Sequence, residues 1–251
     1  MHEPVRAETI HLNGIAMYVE RQGKGAPLLL LHGGGGVGQN WRLIFDAPPP
    51  GMELIIPDLR GHGRSTNPAG GITFRQLGAD VLALMDTLGI ARFKAIGLSM
   101  GAKTLLHVAT QQPARVEAMV LVSATPYFPE STRELMRAAA TMTHDDGEWE
   151  RMRHWHVHGD GQIRALWAMP GQFADDYEDM SFTPPRLGQI QARTMVVHGD
   201  RDVLYPLPLA VELQSAIPGS HLWVIPKGGH SPIFGDIAPL FARTALAFLN
   251  H

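Results

Sequence analysis

The sequence predicts an α/β fold with a mostly parallel, eight-stranded sheet flanked by helices and interrupted once by a helical insertion. Three observations carry this expectation. An unbroken apolar run such as Ala26–Leu31 suits a strand covered on both faces, as in a parallel sheet, and Val116–Val122 reads as another strand. These runs alternate with segments of helical period, and that alternation implies right-handed crossovers with helices on both faces. The rhythm then stops between Tyr127 and Pro185 and resumes at Ala192.

Composition sets the frame. The chain has 251 residues, 45% hydrophobic and 18% charged, with a net charge of −3 and no cysteine. A full core is within reach of one domain of this length. The acidic balance argues against nucleic acid or an anionic membrane as partner, since neither gains from counterion release. Without cysteine there are no disulfides, thiolate nucleophiles or cysteine-based zinc sites. Met1-His2-Glu3-Pro4 lacks the basic and then apolar stretch of a signal peptide. No segment reaches the roughly 18 apolar residues that span a bilayer. A cytoplasmic chain is therefore expected.

Taken in order, residues 9–12 and 16–20 read as a β-hairpin turned at Asn13-Gly14, residues that accept positive φ. Ala26–Leu31 is a buried strand that runs into His32-Gly33-Gly34-Gly35-Gly36. Four glycines cost about 0.5–1 kcal/mol of chain entropy each, so their use is close backbone approach to an anion or a substrate oxygen. A nucleotide phosphate is the competing ligand, but no Gly-Lys-Ser/Thr ending or dinucleotide fingerprint accompanies the loop.

Residues 40–47 suggest a short helix cut by three prolines, and 53–57 a second buried strand. Asp58-Leu59-Arg60-Gly61-His62-Gly63-Arg64-Ser65 reads as a charged turn that ties neighbouring loops, and His62 is placed in that structural role. Residues 73–88 carry Leu77, Val81, Leu84, Met85 and Leu88 on one helix face, stopped by Gly89. A strand over 92–96 leads into Gly97-Leu98-Ser99-Met100-Gly101, and an amphipathic helix follows over 102–112 until Pro113 ends it. A serine between two glycines at a strand-to-helix junction matches the nucleophile-elbow pattern. The turn is tight enough that side chains at the glycine positions would collide with the adjoining strand and helix.

The segment 127–185 concentrates Trp149, Trp155, Trp167, several methionines, and His144, His154, His156 and His158. It is expected to form a helical lid over 126–186, between core segments 1–125 and 187–251. Alternate spacing of His154, His156 and His158 shares a face only on a strand, so they are read as solvent-facing or lid-packing residues and no metal site is expected. A strand over 192–197 runs into His198-Gly199-Asp200-Arg201-Asp202, then a helix over 206–217, a last strand over 221–225, Lys227-Gly228-Gly229-His230, and a closing helix over 237–249.

A serine hydroxyl needs a base within hydrogen-bond reach, and the base needs an acid to fix its tautomer. Candidates fall on loops after consecutive strands, at one edge of a parallel sheet where ligands bind. The order is Ser99, then Asp202, then His230.

Over essentially its whole length the chain resembles the α/β-hydrolase family. The resemblance is carried by HGGGG at 32–36, DLRGHGRS at 58–65, GLSMGA at 97–102, HGDRD at 198–202 and GGH at 228–230. It implies Ser99 as nucleophile, His230 as general base and Asp202 as the acid, with Asp200 second in line. It also implies an oxyanion hole from the amides of Gly34 and Met100, with Gly33 and Gly35 as alternatives. The expected substrate pocket comprises Gly35, Trp41, Phe128, Trp149, Trp155, Trp167 and Phe234.

Serine at the elbow is unlike the aspartate of haloalkane dehalogenases and epoxide hydrolases of this fold. Carbon–carbon bond hydrolases usually carry tryptophan soon after the catalytic histidine, where this chain has Ser231-Pro232-Ile233-Phe234. The resemblance thus implies a cofactor-free carboxylesterase or lactonase acting on a small-molecule ester as a monomer or homodimer. Carbon–carbon hydrolase, perhydrolase and small-molecule receptor of the same fold are the alternatives.

Overall fold

The computed structural model describes residues 4–251; Met1–Glu3, which entered the reading of the amino terminus, lie outside the described residues. Eight strands form one sheet in the order β1-β2-β4-β3-β5-β6-β7-β8. They are β1 Arg6–Leu12, β2 Ile15–Gly23, β3 Ala26–Leu31, β4 Met52–Pro57, β5 Phe93–Leu98, β6 Val116–Val122, β7 Arg193–Gly199 and β8 His221–Ile225. β1 pairs antiparallel with β2 and β2 with β4; every later neighbour is parallel.

Helices cover both faces. Leu29, Leu31, Ala95 and Leu121 point toward α1 (Phe74–Thr87), α2 (Met100–Gln111) and the helix at Leu207–Ala216. Their alternates Leu28, Leu30, Ile96 and Val120 point toward Trp41, Phe45 and the carboxyl-terminal helix at Ala238–Asn250. Leu28–Leu31 are all fully buried, which is why that run is unbroken rather than alternating. The short helix expected over 40–47 is instead a 3-10 turn over Gly38–Leu43. It stops well short of the prolines, and its first turn is fixed by Asn40 accepting the Val37 amide.

Between β6 and β7 the chain inserts α3 (Glu130–Ala140), α4 (Asp146–Trp155), α5 (Asp160–Asp175) and α6 (Pro184–Leu187). A lone antiparallel bridge between Tyr127 and Ser181 closes the base of the insertion. Several polar contacts tie it to the core, among them Gln162 to the Gly61 and Gly63 carbonyls and Thr132 to the Leu204 carbonyl; two of them engage α1 and the glycine loop. Asp179 accepts the amides of Phe74 and Arg75 at the start of α1, where a carboxylate opposes the positive end of the helix. His156, at the end of α4, accepts the Gly63 amide at 2.8 Å on Nδ1. Its Nε2–H therefore donates to the Gly35 carbonyl at 3.1 Å. His154 and His158 are exposed, so the three histidines share no face. Among the described residues no helix is long and apolar enough to cross a membrane.

The loop after β4 is held by buried polar contacts. Arg60 makes a two-point ion pair with Asp80 at 2.7 and 2.8 Å. His62 is fully buried, with its ring 5.0 Å from His32 and 6.1 Å from His156. This is the tying role expected of that turn. Burial lowers the pKa of His32 to about 4 and pushes His62 and His156 down as well. These rings stay neutral in the folded chain while the unfolded chain begins to take up protons near pH 6.5. Stability should therefore fall as pH drops from about 6.5 toward about 4. Thermal melts should show Tm lower by roughly 5 °C or more at pH 5 than at pH 7.5, and His62→Phe should narrow that gap. A pH-independent Tm over this range would contradict the account.

Backbone crowding at the elbow gives a second test. A Cβ on Gly101 would sit 2.3 Å from the Leu31 carbonyl oxygen, and one on Gly97 2.6 Å from the Gly101 backbone. A Cβ on Gly161 in α5 meets nothing within 4 Å. Gly101→Ala should cost about 2 kcal/mol or more, whereas Gly161→Ala should be neutral or slightly stabilising. Denaturant midpoints of the two variants distinguish these outcomes.

Candidate active site

The site stands at the carboxyl edge of β3, β5, β7 and β8. Because Gly97 and Gly101 let α2 press against β5 and β3, Ser99 is driven to φ 49°, ψ −104°. Such a backbone is strained for a residue with a side chain and persists only where the surroundings enforce it. Lys103 N donates to the Ser99 carbonyl and Ser99 N to Val122 O, so the strained residue is clamped on both sides.

β7 and β8 deliver the partners. A Cβ on Gly199 would lie 2.3 Å from the carbonyl oxygens of both Gly228 and Gly229, so the turns after these two strands touch backbone to backbone. The Arg201 amide adds a 2.9 Å hydrogen bond to Gly228 O. This contact sets Asp202 beside His230. The His230 Nδ1 lies 2.8 Å from Asp202 Oδ2, and its Nε2 lies 2.8 Å from Ser99 Oγ.

Asp202 Oδ1 also accepts the amides of Leu204 and Tyr205 at 2.9 and 3.0 Å. Burial raises the pKa of this carboxyl, but the bonds from His230, Tyr205 and Leu204 outweigh it and hold the group below its ordinary value. A charged Asp202 leaves Nδ1 as the protonated nitrogen and Nε2 free to accept from Ser99. Asp200 is exposed and makes no contact with His230. Asp202 was the expected acid, with Asp200 second in line, and the geometry brings only Asp202 to the imidazole.

The glycine loop lies alongside. His32 Nε2 accepts the Leu59 amide at 2.9 Å, so its Nδ1–H donates to Gly33 O at 2.8 Å. The Gly36 amide closes a turn onto Gly33 O, and Gly101 N reaches His32 O at 3.1 Å. Among the described residues the amides of Gly34 and Met100 donate to no protein acceptor. They remain available to a bound oxygen.

A cavity of about 760 Å³ opens above Ser99. Gly35, Trp41, Trp167 and Phe234 line it as expected, while Phe128, Trp149 and Trp155 do not. Phe128 packs between Phe74 and Tyr205, each with ring centroids 6.0 Å away. In α4 it is Glu148 and Met152, one turn apart, that face the cavity. Trp149 is rotated about 100° from Glu148 and meets Trp167 edge-on at 4.4 Å from outside. Trp155 stands on the last turn against His154.

Among the lining residues that the sequence reading missed, Lys103 and Tyr205 stand nearest the serine and histidine. Lys103 is buried one turn after Ser99, with Nζ 2.7 Å from Tyr205 Oη and 3.5 Å from Ser99 Oγ. Tyr205 also stacks edge-on against His230 at 5.0 Å. The available signal was a lone lysine four residues after Ser99, one helical turn along the same face.

Comparison with known proteins agrees with this architecture. The family model described as alpha/beta hydrolase fold matches residues 26–179. The chain is 28% identical over 239 residues to the "dihydrolipoyllysine-residue acetyltransferase component of acetoin cleaving system" of Cupriavidus necator. The match covers 87% of this chain but only 63% of that protein, under two thirds of its length. It is 28% identical over 264 residues to the "2-hydroxy-6-oxononadienedioate/2-hydroxy-6-oxononatrienedioate hydrolase 2" of Pseudomonas putida, covering 91% of this chain and 90% of the relative. Among solved structures, a hydrolase from Pseudomonas aeruginosa superposes with TM-score 0.81 at 22% identity, covering 98% of each chain. The chain belongs to the α/β hydrolase fold family.

Proposed function

We propose that the chain is a serine hydrolase that cleaves a carboxylic ester or lactone through an acyl-enzyme intermediate. The observation that carries this reading is the unbroken relay from Ser99 Oγ through both nitrogens of His230 to Asp202 Oδ2, with 2.8 Å at each link. In this reading His230 Nε2 takes the hydroxyl proton as Ser99 Oγ attacks the carbonyl carbon. The amides of Gly34 and Met100 hold the oxyanion, and Asp202 steadies the imidazolium. Nε2 then gives its proton to the departing alcohol. The same nitrogen activates water, which displaces the acid from Ser99.

The helical insertion acts as a lid over the reacting centre. Met136, Met142, Met152 and Met169 line the cavity with Trp167 and Phe173. Unbranched, polarisable side chains of this kind accept acyl groups of varied shape.

Carbon–carbon bond hydrolysis is the second reading, favoured by kinship with the Pseudomonas putida hydrolase. The two are separated by offering short p-nitrophenyl esters and lactones beside a 2-hydroxy-6-oxodienoate. Saturable turnover of the esters with the dienoate untouched is expected; the reverse pattern would select the second reading.

On the ester substrate Ser99→Ala should lower kcat by about 10⁴-fold or more, and a retained rate would sink the assignment. Asp202→Asn should cost about 10³–10⁴-fold in kcat through loss of the correct tautomer. Asp200→Asn should stay within about threefold, because an exposed surface substitution leaves the relay intact. Equal losses in the two asparagine variants would place the acid elsewhere.

A further inference from the structure

We propose that Lys103 and Tyr205 form an anion subsite in the wall of the Ser99 cavity, selecting acyl groups that carry a carboxylate one or two carbons beyond the scissile carbonyl. The proposal rests on the ester-hydrolase reading and names its substrate class.

Three cationic side chains are buried among the described residues: Arg60, Lys103 and Arg133. Arg60 is neutralised by Asp80. Arg133 donates to the carbonyls of Phe128, Ala174 and Asp176 at the edge of the insertion. Lys103 alone of these has neither a carboxylate within ion-pair distance nor a set of carbonyl acceptors. Its Nζ lies among the rings of Tyr205, Phe74 and Phe128, at 4.6, 5.2 and 5.6 Å from their centroids. Ring faces attract a cation but do not cancel its charge.

Asp202 is the nearest source of negative field, yet its Oδ2 is taken by His230 and its Oδ1 by two backbone amides. A buried ammonium without a counterion is costly, and leucine or methionine would fill the same space without that cost. Accordingly, burial lowers the Lys103 pKa to about 7, with Asp202 only partly opposing the shift. An anion seated beside Nζ would supply the missing partner and hold the ammonium in its charged form.

The cavity is where that anion can come from. Lys103 lines it beside Phe74, Met136, Met169 and Phe173, which supply no charge. Glu148, also on the lining, already accepts the Asp145 amide and sits 3.4 Å from His144. An ammonium has three N–H donors; one goes to Tyr205 Oη, and Ser99 Oγ stands 3.5 Å from Nζ. An acyl group bonded to Ser99 Oγ therefore begins within a few ångströms of Nζ. A carboxylate oxygen accepting from Nζ at about 2.8 Å fits one or two carbons along the chain.

The test compares monomethyl succinate with dimethyl succinate, which share a carbon skeleton and differ by one charge. In wild type, kcat/KM for the half-ester should exceed that for the diester by about tenfold or more, the scale of one charge-assisted hydrogen bond. In Lys103→Met, and in Lys103→Gln should the first variant not fold, the ratio should fall to about unity. A diester preference in wild type, or a half-ester preference that survives both substitutions, overturns the proposal.

Equilibrium binding of the same two compounds to Ser99→Ala, followed by tryptophan fluorescence, reads the subsite without turnover. Tighter binding of the half-ester, lost in Ser99→Ala/Lys103→Met, supports it; equal binding refutes it. Failure of wild type to hydrolyse either ester would instead remove the serine-hydrolase reading, with the binding arm still deciding the subsite.

Discussion

Between α2 and β3 there is room for a hydrogen atom at Gly101 and for nothing larger. The Leu31 carbonyl stands 2.3 Å from where a Cβ would be, and the Gly101 amide closes the gap by bonding His32 O. From this one approach the rest follows. The start of α2 is pinned to the glycine loop, Ser99 is forced into its positive φ, and the Met100 amide is left pointing at no protein acceptor. The turns after β7 and β8 repeat the device at Gly199, where two backbones meet without side chains between them. Backbone contacts have little slack, so the hydroxyl, imidazole and carboxylate are set by main-chain geometry rather than by flexible side-chain packing.

Much of this was legible in residues. The apolar run Ala26–Leu31 reads as a strand covered on both faces because the structure buries both its sides. Gly97 and Gly101 announce close approach because no other residue is neutral there. What spacing could not decide was which face of a turn a side chain leaves from. Asp200 and Asp202 occupy one turn, and only the docking of that turn against Gly228 and Gly229 separates them. Trp149 failed for a related reason. The phase of α4 is set by its capping box at Asp145 and Glu148, and a helix turned by one residue carries a different side chain into the cavity. Lys103 was obscured because 102–112 was read as an amphipathic helix, for which a lysine marks a wet face. Here α1, the sheet and the insertion bury that face as well.

The electrostatics of the interior divide along the same lines. Arg60 with Asp80, and Asp179 at the start of α1, are buried charges whose partners come from the chain itself, and they fix loops. Lys103 differs in that the chain supplies aromatic faces and a phenol but no anion. The fold therefore fixes its loops with closed pairs and leaves one buried amine without a carboxylate partner on the cavity wall. Fold alone does not set chemistry; the contrast between closed and open charges is a property of these particular side chains rather than of the architecture.

His156 has a further consequence. Its two ring nitrogens hold Gly63 and Gly35 at once, so α4 cannot swing outward without surrendering a hydrogen bond to the glycine loop. Movement of the insertion and the shape of that loop are therefore a single equilibrium. By thermodynamic reciprocity, whatever stabilises that loop in this shape favours the seated insertion by the free energy with which the insertion favours the loop. His156 shares this coupling with Gln162, whose amide donates to the Gly61 and Gly63 carbonyls of the neighbouring turn.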